Sequence, residues 1–400
     1  MGRISRISRS SRASKTVLNP LRPKTLEIHG GETLYDKEIR PGLHRVVTFP
    51  LQSPERAKRI FEGSERGFVY TRINNPTVDK FEKRIAAMEG AEAGLATASG
   101  MAAIDLVAKY LAHSGGHIVA SNQLYGGVFY LFRELLPTLG ISVTFVDDPH
   151  DPKAWERAIV PGTTKFLYVE NLSNPLIGVF NITCLADIAH RHGIPLVVDS
   201  TLATPVLLRP LTLGADIVIH SASKYMGNGE VIAGVILGKQ ELIDDLRNGW
   251  FRDTGACLSP DNAAILCSHL ESLSARVLEQ SRSAAKLASF LSAHPSVQEV
   301  FYPTDHPLMP KGSGGLLAFA VRGGWREAYT VISHLQIPWL AANIGEARSL
   351  VIHPATTTHE KMTDEERRAA GILESTIRYS VGLEDSQDLI DDLERALAEI

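Results

Sequence analysis

Short apolar runs alternate with amphipathic segments along the first two thirds of this chain. Most of these runs are rich in β-branched residues and all are too short for a buried helix, so each predicts a core strand. The runs are AGLATA, HIVAS, ISVTFVD, KFLYVE, IPLVVD, ADIVIH and GVILG. Between most of them the apolar residues have helical spacing, as in PTVDKFEKRIAAMEG and PLIGVFNITCLADIAHRHG. This alternation predicts an α/β fold in which helices cover a mainly parallel sheet.

The organisation changes near residue 255. Two helical segments are followed by the strand candidates VQEVFYP and GGLLAFAV, and the amphipathic helix DSQDLIDDLERALAEI ends the chain. This order predicts a second, smaller α+β domain. We therefore divide the chain into an N-terminal arm (1–62), an α/β domain with the candidate binding site (63–255) and a C-terminal α+β domain (256–400).

Composition narrows the class of protein. A length of 400 residues favours two domains, and 44% hydrophobic with 22% charged residues is ordinary for a soluble enzyme. No apolar run approaches the roughly 18 residues that a membrane span needs. A net charge of −4 offers no basic surface for nucleic acid. We expect a small-molecule substrate, no nucleic-acid or membrane partner, and no metal site.

The first 24 residues differ in composition from the rest of the chain. They are rich in Ser and Arg, and no acidic residue precedes Glu27. An organelle transit peptide, a bacterial extension and an arm that crosses to another subunit all have this composition. The segment lacks the apolar core of a secretory signal. We expect the protein to be cytoplasmic.

Two strand ends carry the strongest chemical signal. Asp199 ends the run IPLVVD, and Lys224 follows ADIVIH, with the hydroxyl groups of Ser221 and Ser223 beside it. Because parallel strands deliver their carboxyl ends to one edge of a sheet, these groups should meet where ligands bind. A lysine, a carboxylate and hydroxyl donors suit an aldehyde cofactor that bears a phosphate and a ring nitrogen. The sequence therefore predicts pyridoxal 5′-phosphate as the cofactor.

Further residues extend this candidate site. Ser99, Gly100 and Met101 open a predicted helix, where free backbone N–H groups favour phosphate. Tyr125 precedes two glycines and has room to lie on a planar ring. Tyr70 and Arg72 are two apart in an extended segment, so both can face the phosphate. Each of these residues alone also fits an ordinary role as a helix cap, a turn aromatic or a solvated arginine.

Together these motifs resemble the Cys/Met-metabolism family of pyridoxal-phosphate enzymes. The resemblance runs from about Tyr70 to the C-terminus, through YTRINNPT, TASGMAAI, YGG, ENLSNP, VVDSTLATP, HSASKYMGNGEVIAG, NIGEARSLVIHPATTTH and IRYSVGLED. This family contains cystathionine synthases and lyases, methionine γ-lyases and acyl-homoserine sulfhydrylases. The resemblance implies fold type I, the aspartate-aminotransferase fold, and a homotetramer built from two active dimers.

The resemblance also implies a role for each matching residue. Lys224 would bond the cofactor aldehyde, and Asp199 would pair with the ring nitrogen. Tyr125 would stack on the ring and move protons, and Asn174 would touch the ring oxygen. Arg378 and Ser349 would bind the substrate carboxylate. The phosphate would be held by Ser99, Gly100, Met101, Ser221 and Ser223, joined by Tyr70 and Arg72 of the neighbouring subunit.

The implied reaction is γ-replacement or γ-elimination on a γ-substituted amino acid. The main expectation is an O-acylhomoserine sulfhydrylase of homocysteine and methionine metabolism. The alternative is a γ-lyase that acts on methionine, cystathionine or canavanine. A catalytically silent dimer that binds pyridoxal phosphate is the non-enzymatic alternative, which the intact set of site residues disfavours.

Four departures from the family pattern bear on the substrate. Arg348 stands where cystathionine enzymes usually have an acid, and it would repel the distal ammonium of cystathionine. Gly127 stands where methionine γ-lyases carry a cysteine. The common R-G-L-x-T-L segment is SHLESL at 268–273, and the long insertion of many acetylhomoserine sulfhydrylases is absent. The leaving group, including a cationic one such as that of canavanine, therefore stays open.

Overall fold

The computed structural model describes residues 21–32 and 42–400. The prediction for the basic N-terminal segment falls mainly on residues 1–20, which lie outside the described residues. Within the described residues, twelve strands form two sheets. The larger sheet contains β1 (Ala93–Thr97), β2 (His117–Ser121), β3 (Ser142–Val146), β4 (Thr164–Glu170), β5 (Leu196–Asp199), β6 (Ile217–His220) and β7 (Gly234–Gly238). The smaller contains β8 (Val297–Phe301), β9 (Leu316–Val321), β10 (Trp339–Leu340), β11 (Leu350–Ile352) and β12 (Thr376–Ser380).

The larger sheet has the order β1-β7-β6-β5-β4-β2-β3. All neighbouring strands from β6 to β3 run parallel, and β7 is antiparallel to both β1 and β6. The smaller sheet has the order β10-β11-β12-β9-β8 and is mostly antiparallel. The predicted α/β fold with a smaller α+β unit is confirmed.

Helices fill the connections between the strands. Their bounds are Pro23–His29, Pro54–Phe61, Pro76–Glu89, Gly100–Ala112, Gly126–Tyr130, Leu136–Thr138, Pro152–Ala158, Ile182–Arg191, Thr204–Leu207, Gln240–Leu246, Arg252–Thr254, Pro260–Leu270, Leu273–Ala293, Trp325–His334, Asp364–Ala369 and Ser386–Leu397. Wider π turns occupy Leu131–Leu135 and Arg247–Phe251, and tighter 3₁₀ turns occupy Pro210–Leu213 and Pro354–Thr356.

The alternation of side chains along the central strands explains their continuous apolar sequences. Val198 of β5 and Val218 of β6 pack in one core cluster, on the face covered by helix Pro76–Glu89. Val197 and Ile219 pack in the other, with residues of helix Gly100–Ala112. Successive residues of a strand point to opposite faces, so a sheet covered on both sides needs apolar residues at every position.

Local signals set the helix boundaries. The Asn75 side chain accepts a hydrogen bond from Thr77 N at 2.9 Å, and Gly90 ends that helix with a φ of +84°. The predicted helical stretch after Pro175 is helical only from Ile182 to Arg191. Asn181 caps this helix, and the preceding residues form an isolated bridge between Leu172 and Val179 instead.

The two units share a long helix. Leu273–Ala293 contributes Val277 to the core of the larger unit and Leu287 to that of the smaller one. Helix Pro260–Leu270 packs against helix Pro76–Glu89 of the larger unit. The domain boundary at residue 255 therefore stays a prediction, because this packing crosses it.

Within the described ranges, no helix is long and apolar enough to cross a membrane. The same ranges contain no group of three His, Cys, Asp or Glu side chains arranged to hold a metal ion. Cys184, Cys257 and Cys267 are free thiols.

Candidate functional site

A cavity of about 470 Å³ lies at the carboxyl ends of the parallel strands. Its wall takes residues from the segments after β1, β4, β5 and β6, and it is completed by Asn343 and Arg378 of the smaller unit. This is the edge at which α/β sheets bind ligands. The structure thus brings Lys224 and Asp199 together, as the sequence predicted.

Lys224 lies in a largely dry part of the cavity. Its Nζ donates a hydrogen bond to Asn343 Oδ1 at 2.6 Å. Burial, and then the positive charge of Arg378, lower the pKa of the Lys224 amine from 10.5 to about 8. At pH 7 about a tenth of the amine is therefore unprotonated, far more than for a lysine with a pKa of 10.5, which makes it a usable nucleophile and base.

Two carboxyl groups lie side by side at the ends of β4 and β5. Glu170 is the cross-strand neighbour of Asp199, and both residues line the cavity. Asp199 Oδ1 accepts a hydrogen bond from Thr201 N at 2.9 Å, while Glu170 Oε1 accepts one from Tyr125 N at 2.7 Å. Burial raises the pKa of both groups, and the charge of Asp199 raises that of Glu170 further. A cation facing Asp199 would stabilise its carboxylate form.

The start of helix Gly100–Ala112 forms a cradle for an anion. Ser99 Oγ accepts a hydrogen bond from Ala102 N at 3.1 Å, and the N–H groups of Gly100 and Met101 have no acceptor within the helix. A Cβ on Gly100 would lie 2.7 Å from Ser221 Cβ, so only glycine allows this approach. Ser223 Oγ is already bonded to the backbone N and O of Ala233.

Arg378 is a buried cation in the wall of the cavity. It is 3% exposed, and its Nη1 donates a hydrogen bond to Asn174 Oδ1 at 3.1 Å. Burial lowers the pKa of the guanidinium to about 10, so it stays charged at neutral pH. A guanidinium in a dry cavity is suited to a carboxylate.

Tyr125 stands at the mouth of the cavity, 41% exposed. Its ring folds over Gly127, where an added Cβ would lie 2.6 Å from Tyr125 Cε1. A Cβ on Gly126 would lie 2.1 Å from Thr358 O. The two glycines are therefore needed for the ring position that the structure has.

Three of the predicted site residues lie outside the wall of this cavity. Tyr70 and Arg72 contact each other, with the guanidinium 5.5 Å from the ring centre, and Tyr70 is exposed. Their contribution to a neighbouring subunit stays a prediction. Ser349 is fully buried and donates a hydrogen bond to Glu384 Oε2 at 2.8 Å. Its contact with substrate also stays a prediction.

The structure adds residues that sequence reasoning missed. Glu170 follows an apolar strand just as Asp199 does, and this shared position was the available signal. Asn343 had no such signal, because it lies in an irregular segment far along the chain from Lys224. Glu230 also lines the cavity.

The residues that depart from the family pattern lie at different distances from the cavity. Arg348 is exposed and is not part of the cavity wall, so the predicted repulsion of a distal ammonium has no support in this geometry. In the SHLESL segment, Glu271 lies 3.6 Å from Arg84, away from the cavity. His269 of the segment comes near the wall, where its Nε2 lies 3.2 Å from Glu230.

These observations fit one cofactor. A dry lysine amine, a buried carboxylate at a strand end and a helix-start cradle that only glycine permits match the aldehyde, ring nitrogen and phosphate of pyridoxal phosphate. The fold and site therefore define a pyridoxal-phosphate enzyme of fold type I. The family model for Cys/Met metabolism PLP-dependent enzymes matches residues 24–398, and the chain belongs to this family.

Similar proteins include homoserine sulfhydrylases and methionine γ-lyases. The chain is 41% identical to O-succinylhomoserine sulfhydrylase of Pseudomonas aeruginosa, with 94% of each chain covered. It is 37% identical to O-acetyl-L-homoserine sulfhydrylase of Corynebacterium glutamicum, covering 94% of this chain and 97% of that one. It is 38% identical to L-methionine gamma-lyase of Fusobacterium nucleatum, covering 94% and 98%.

A similar solved structure is that of a putative O-acetylhomoserine (thiol)-lyase from Campylobacter jejuni, which holds N′-pyridoxyl-lysine-5′-monophosphate. The TM-score is 0.90 at 34% identity, covering 94% of this chain and 100% of that one.

Proposed function

We propose that this enzyme uses pyridoxal phosphate to replace the γ-substituent of an O-acylhomoserine with sulfide. The proposal rests on one observation. A single cavity contains the Lys224 amine, the Arg378 guanidinium and the Asp199 carboxylate. That set holds an amino acid by its carboxylate with a base beside its α-carbon. The similarity to acetyl- and succinylhomoserine sulfhydrylases supports this choice of substrate.

Pyridoxal phosphate, when bound, supplies an aldehyde for the substrate amine and a conjugated ring that accepts electrons from the α-carbon. Arg378 binds the α-carboxylate. The Nζ of Lys224 would take the α-proton, give it up to the bound cofactor and then take a β-proton, so that the γ-substituent leaves with the electrons of its bond to carbon. Asp199 would keep the ring nitrogen protonated, and Tyr125 would cover the ring and move protons. Sulfide added at the γ-carbon, with protons returned to the β- and α-carbons, would give homocysteine.

A γ-lyase is the second candidate function. Methionine γ-lyases are about as similar to this chain as the sulfhydrylases are. The acidic side chain of Glu230 in the cavity wall, with Arg348 outside it, favours a cationic leaving group, as in canavanine or cystathionine. The same site serves both reactions, because the unsaturated product left by the γ-substituent either takes sulfide at the γ-carbon or is released and hydrolysed to 2-oxobutyrate and ammonia.

We further propose a homotetramer of active dimers in the cytoplasm. The family resemblance supports the assembly, and the exposed Tyr70 and Arg72 pair is positioned on the surface where a neighbouring subunit would use it. The N-terminal arm (1–62) would contribute to subunit contacts. A silent dimer that only binds the cofactor is disfavoured by the low pKa of Lys224, which suits a base.

A substrate panel tests the proposed function. O-acetylhomoserine, O-succinylhomoserine, methionine, cystathionine and canavanine are each incubated with the purified enzyme, with and without sulfide. Homocysteine formed only with sulfide supports replacement. Turnover without sulfide, with release of 2-oxobutyrate or of the γ-substituent, supports the lyase. Absence of turnover with every substrate contradicts the substrate assignment.

The substitution Lys224→Ala tests the catalytic lysine. We expect the visible absorbance of the lysine-bound cofactor to disappear and kcat to fall by about 10³-fold or more, because among the described residues Lys224 is the one lysine that lines the cavity. The exposed Lys239, changed to Ala, is the matched control and should keep both properties. An absorbance band that survives in Lys224→Ala contradicts the assignment.

A further inference from the structure

The Lys224 amine is held by a short chain of hydrogen bonds that the reaction described above does not use. Its Nζ donates to Asn343 Oδ1 at 2.6 Å, and Asn343 Nδ2 donates to Glu346 Oε1 at 2.5 Å. We call these three residues the amide bridge. It joins the larger unit, which carries Lys224, to the segment before β11 of the smaller one.

The chemistry of the amide bridge determines which way the Asn343 amide faces. A carboxylate only accepts hydrogen bonds, so Glu346 must face the NH₂ group of Asn343. The carbonyl oxygen of the amide is then turned to Lys224. In the opposite orientation the NH₂ group would donate to the lone pair of the free amine and remove its basicity.

Glu346 itself is held firmly. Gln280 Nε2, which is fully buried, donates to the backbone oxygen of Glu346 at 2.6 Å. Gly229 provides the space for the carboxylate, since a Cβ there would lie 2.5 Å from Glu346 Cδ. Asn228 Oδ1 accepts a hydrogen bond from Ala347 N at 2.9 Å and ties the two loops together.

Asn343 also reaches the substrate-binding cation. Its backbone oxygen lies 3.5 Å from Arg378 Nη2. One residue thus contacts the base through its side chain and the carboxylate-binding group through its backbone. A shift of Asn343 would change the position of the amine relative to a bound amino acid.

On this geometry we propose that Asn343 is a positioning residue, oriented by Glu346, that holds the Lys224 amine with its lone pair free to take the substrate proton. The proposal rests on the function proposed above. One N–H of the neutral amine is used by Asn343 Oδ1, and the lone pair is left toward the cavity. The charge of Glu346 also raises the pKa of Lys224, against the effects of burial and Arg378.

The first test measures the Lys224 amine in the full-length enzyme stripped of cofactor. Trace labelling with acetic anhydride across a pH series, read by mass spectrometry at Lys224, gives its pKa. We expect about 8 in the wild type. Asn343→Asp should raise the value by about one unit, because an anion then faces the amine, and Glu346→Gln should lower it. Asn248→Asp, at an exposed asparagine, should leave it unchanged.

The second test measures turnover of the substrate identified by the panel. We expect Asn343→Ala to lower kcat about tenfold to a hundredfold while KM changes less than about threefold, because the misplaced base affects the proton step more than binding. The acid limb of the pH profile should move upward in Asn343→Asp.

The two tests separate the possible failures. Labelling pKa values that are the same in Asn343→Asp, Glu346→Gln and the Asn248→Asp control overturn the amide bridge, whatever the substrate is. So does an Asn343→Ala enzyme with wild-type kcat. If no substrate of the panel reacts but the labelling shifts appear, the proposed function fails and the positioning of Lys224 stands.

Discussion

At the residue scale, the properties of the site come from side chains placed where water is scarce. The buried Lys224 loses part of its proton affinity, and Asp199 is an unfavourable anion until a cation faces it. Burial therefore disfavours both the ammonium form of Lys224 and the carboxylate form of Asp199. Binding of a cationic ring nitrogen therefore offsets a desolvation cost that the folded chain already carries.

His359 is another buried group of this kind, and it makes the stability of the enzyme depend on pH. Burial, followed by the charge of Arg378, lowers the pKa of His359 from 6.5 to about 4. Between these values the unfolded chain binds a proton that the folded chain does not, so the free energy of unfolding falls as the pH falls. At pH 5 the loss is about 2 kcal/mol.

We expect His359→Gln to remove most of this dependence. The measurement is the urea midpoint at pH 7 and at pH 5, compared with the wild type. His334→Gln, at an exposed histidine, is the control and should keep the wild-type dependence. Equal loss of stability in His359→Gln and the wild type would contradict the prediction.

At the element scale, the start of helix Gly100–Ala112 has to approach the segment after β6 closely. The contact between Gly100 and Ser221 sets that approach, and it brings the helix N-terminus and the Ser221 hydroxyl to the same part of the cavity. Neither element forms a phosphate site alone. The close approach brings two ordinary strand connections together at one part of the cavity.

Gly100→Ala should weaken cofactor binding about tenfold or more, because a Cβ 2.7 Å from Ser221 Cβ forces the two elements apart. Alanine is otherwise the better helix former, so a loss of affinity reports packing and not helix propensity. Binding is measured by titrating the cofactor-free enzyme. Gly324→Ala, where an added Cβ would come no closer than 3.9 Å to the nearest side chain, is the control. Unchanged affinity in Gly100→Ala would contradict this role.

At the scale of the whole molecule, the cavity wall of one chain lacks two of the residues predicted to hold the phosphate. Tyr70 and Arg72 lie outside it, in a segment that precedes helix Pro76–Glu89. A symmetric dimer in which each chain supplies this segment to its neighbour would complete both sites. Activity would then require assembly.

Mixed dimers test this arrangement. Arg72→Ala and Lys224→Ala should each be nearly inactive, yet subunits of both kinds, unfolded together and refolded, should regain about a quarter of wild-type activity. Half of the dimers are then hybrids, and each hybrid has one intact site. Refolding each variant alone is the control. No recovery in the mixture would mean that Arg72 acts within its own chain or outside the site.

The sequence by itself determined the strands of the larger sheet, several helix ends and the meeting of Asp199 and Lys224 at one sheet edge. Apolar runs and glycine or asparagine caps are local signals, and Asp199 and Lys224 follow strands whose ends must meet in a parallel sheet. Tertiary structure alone decided the rest. Asn343 reaches Lys224 only through the packing of the two units, Arg348 is exposed outside the cavity wall, and Glu230 is part of that wall. These contacts depend on the path of irregular segments, which no local pattern specifies.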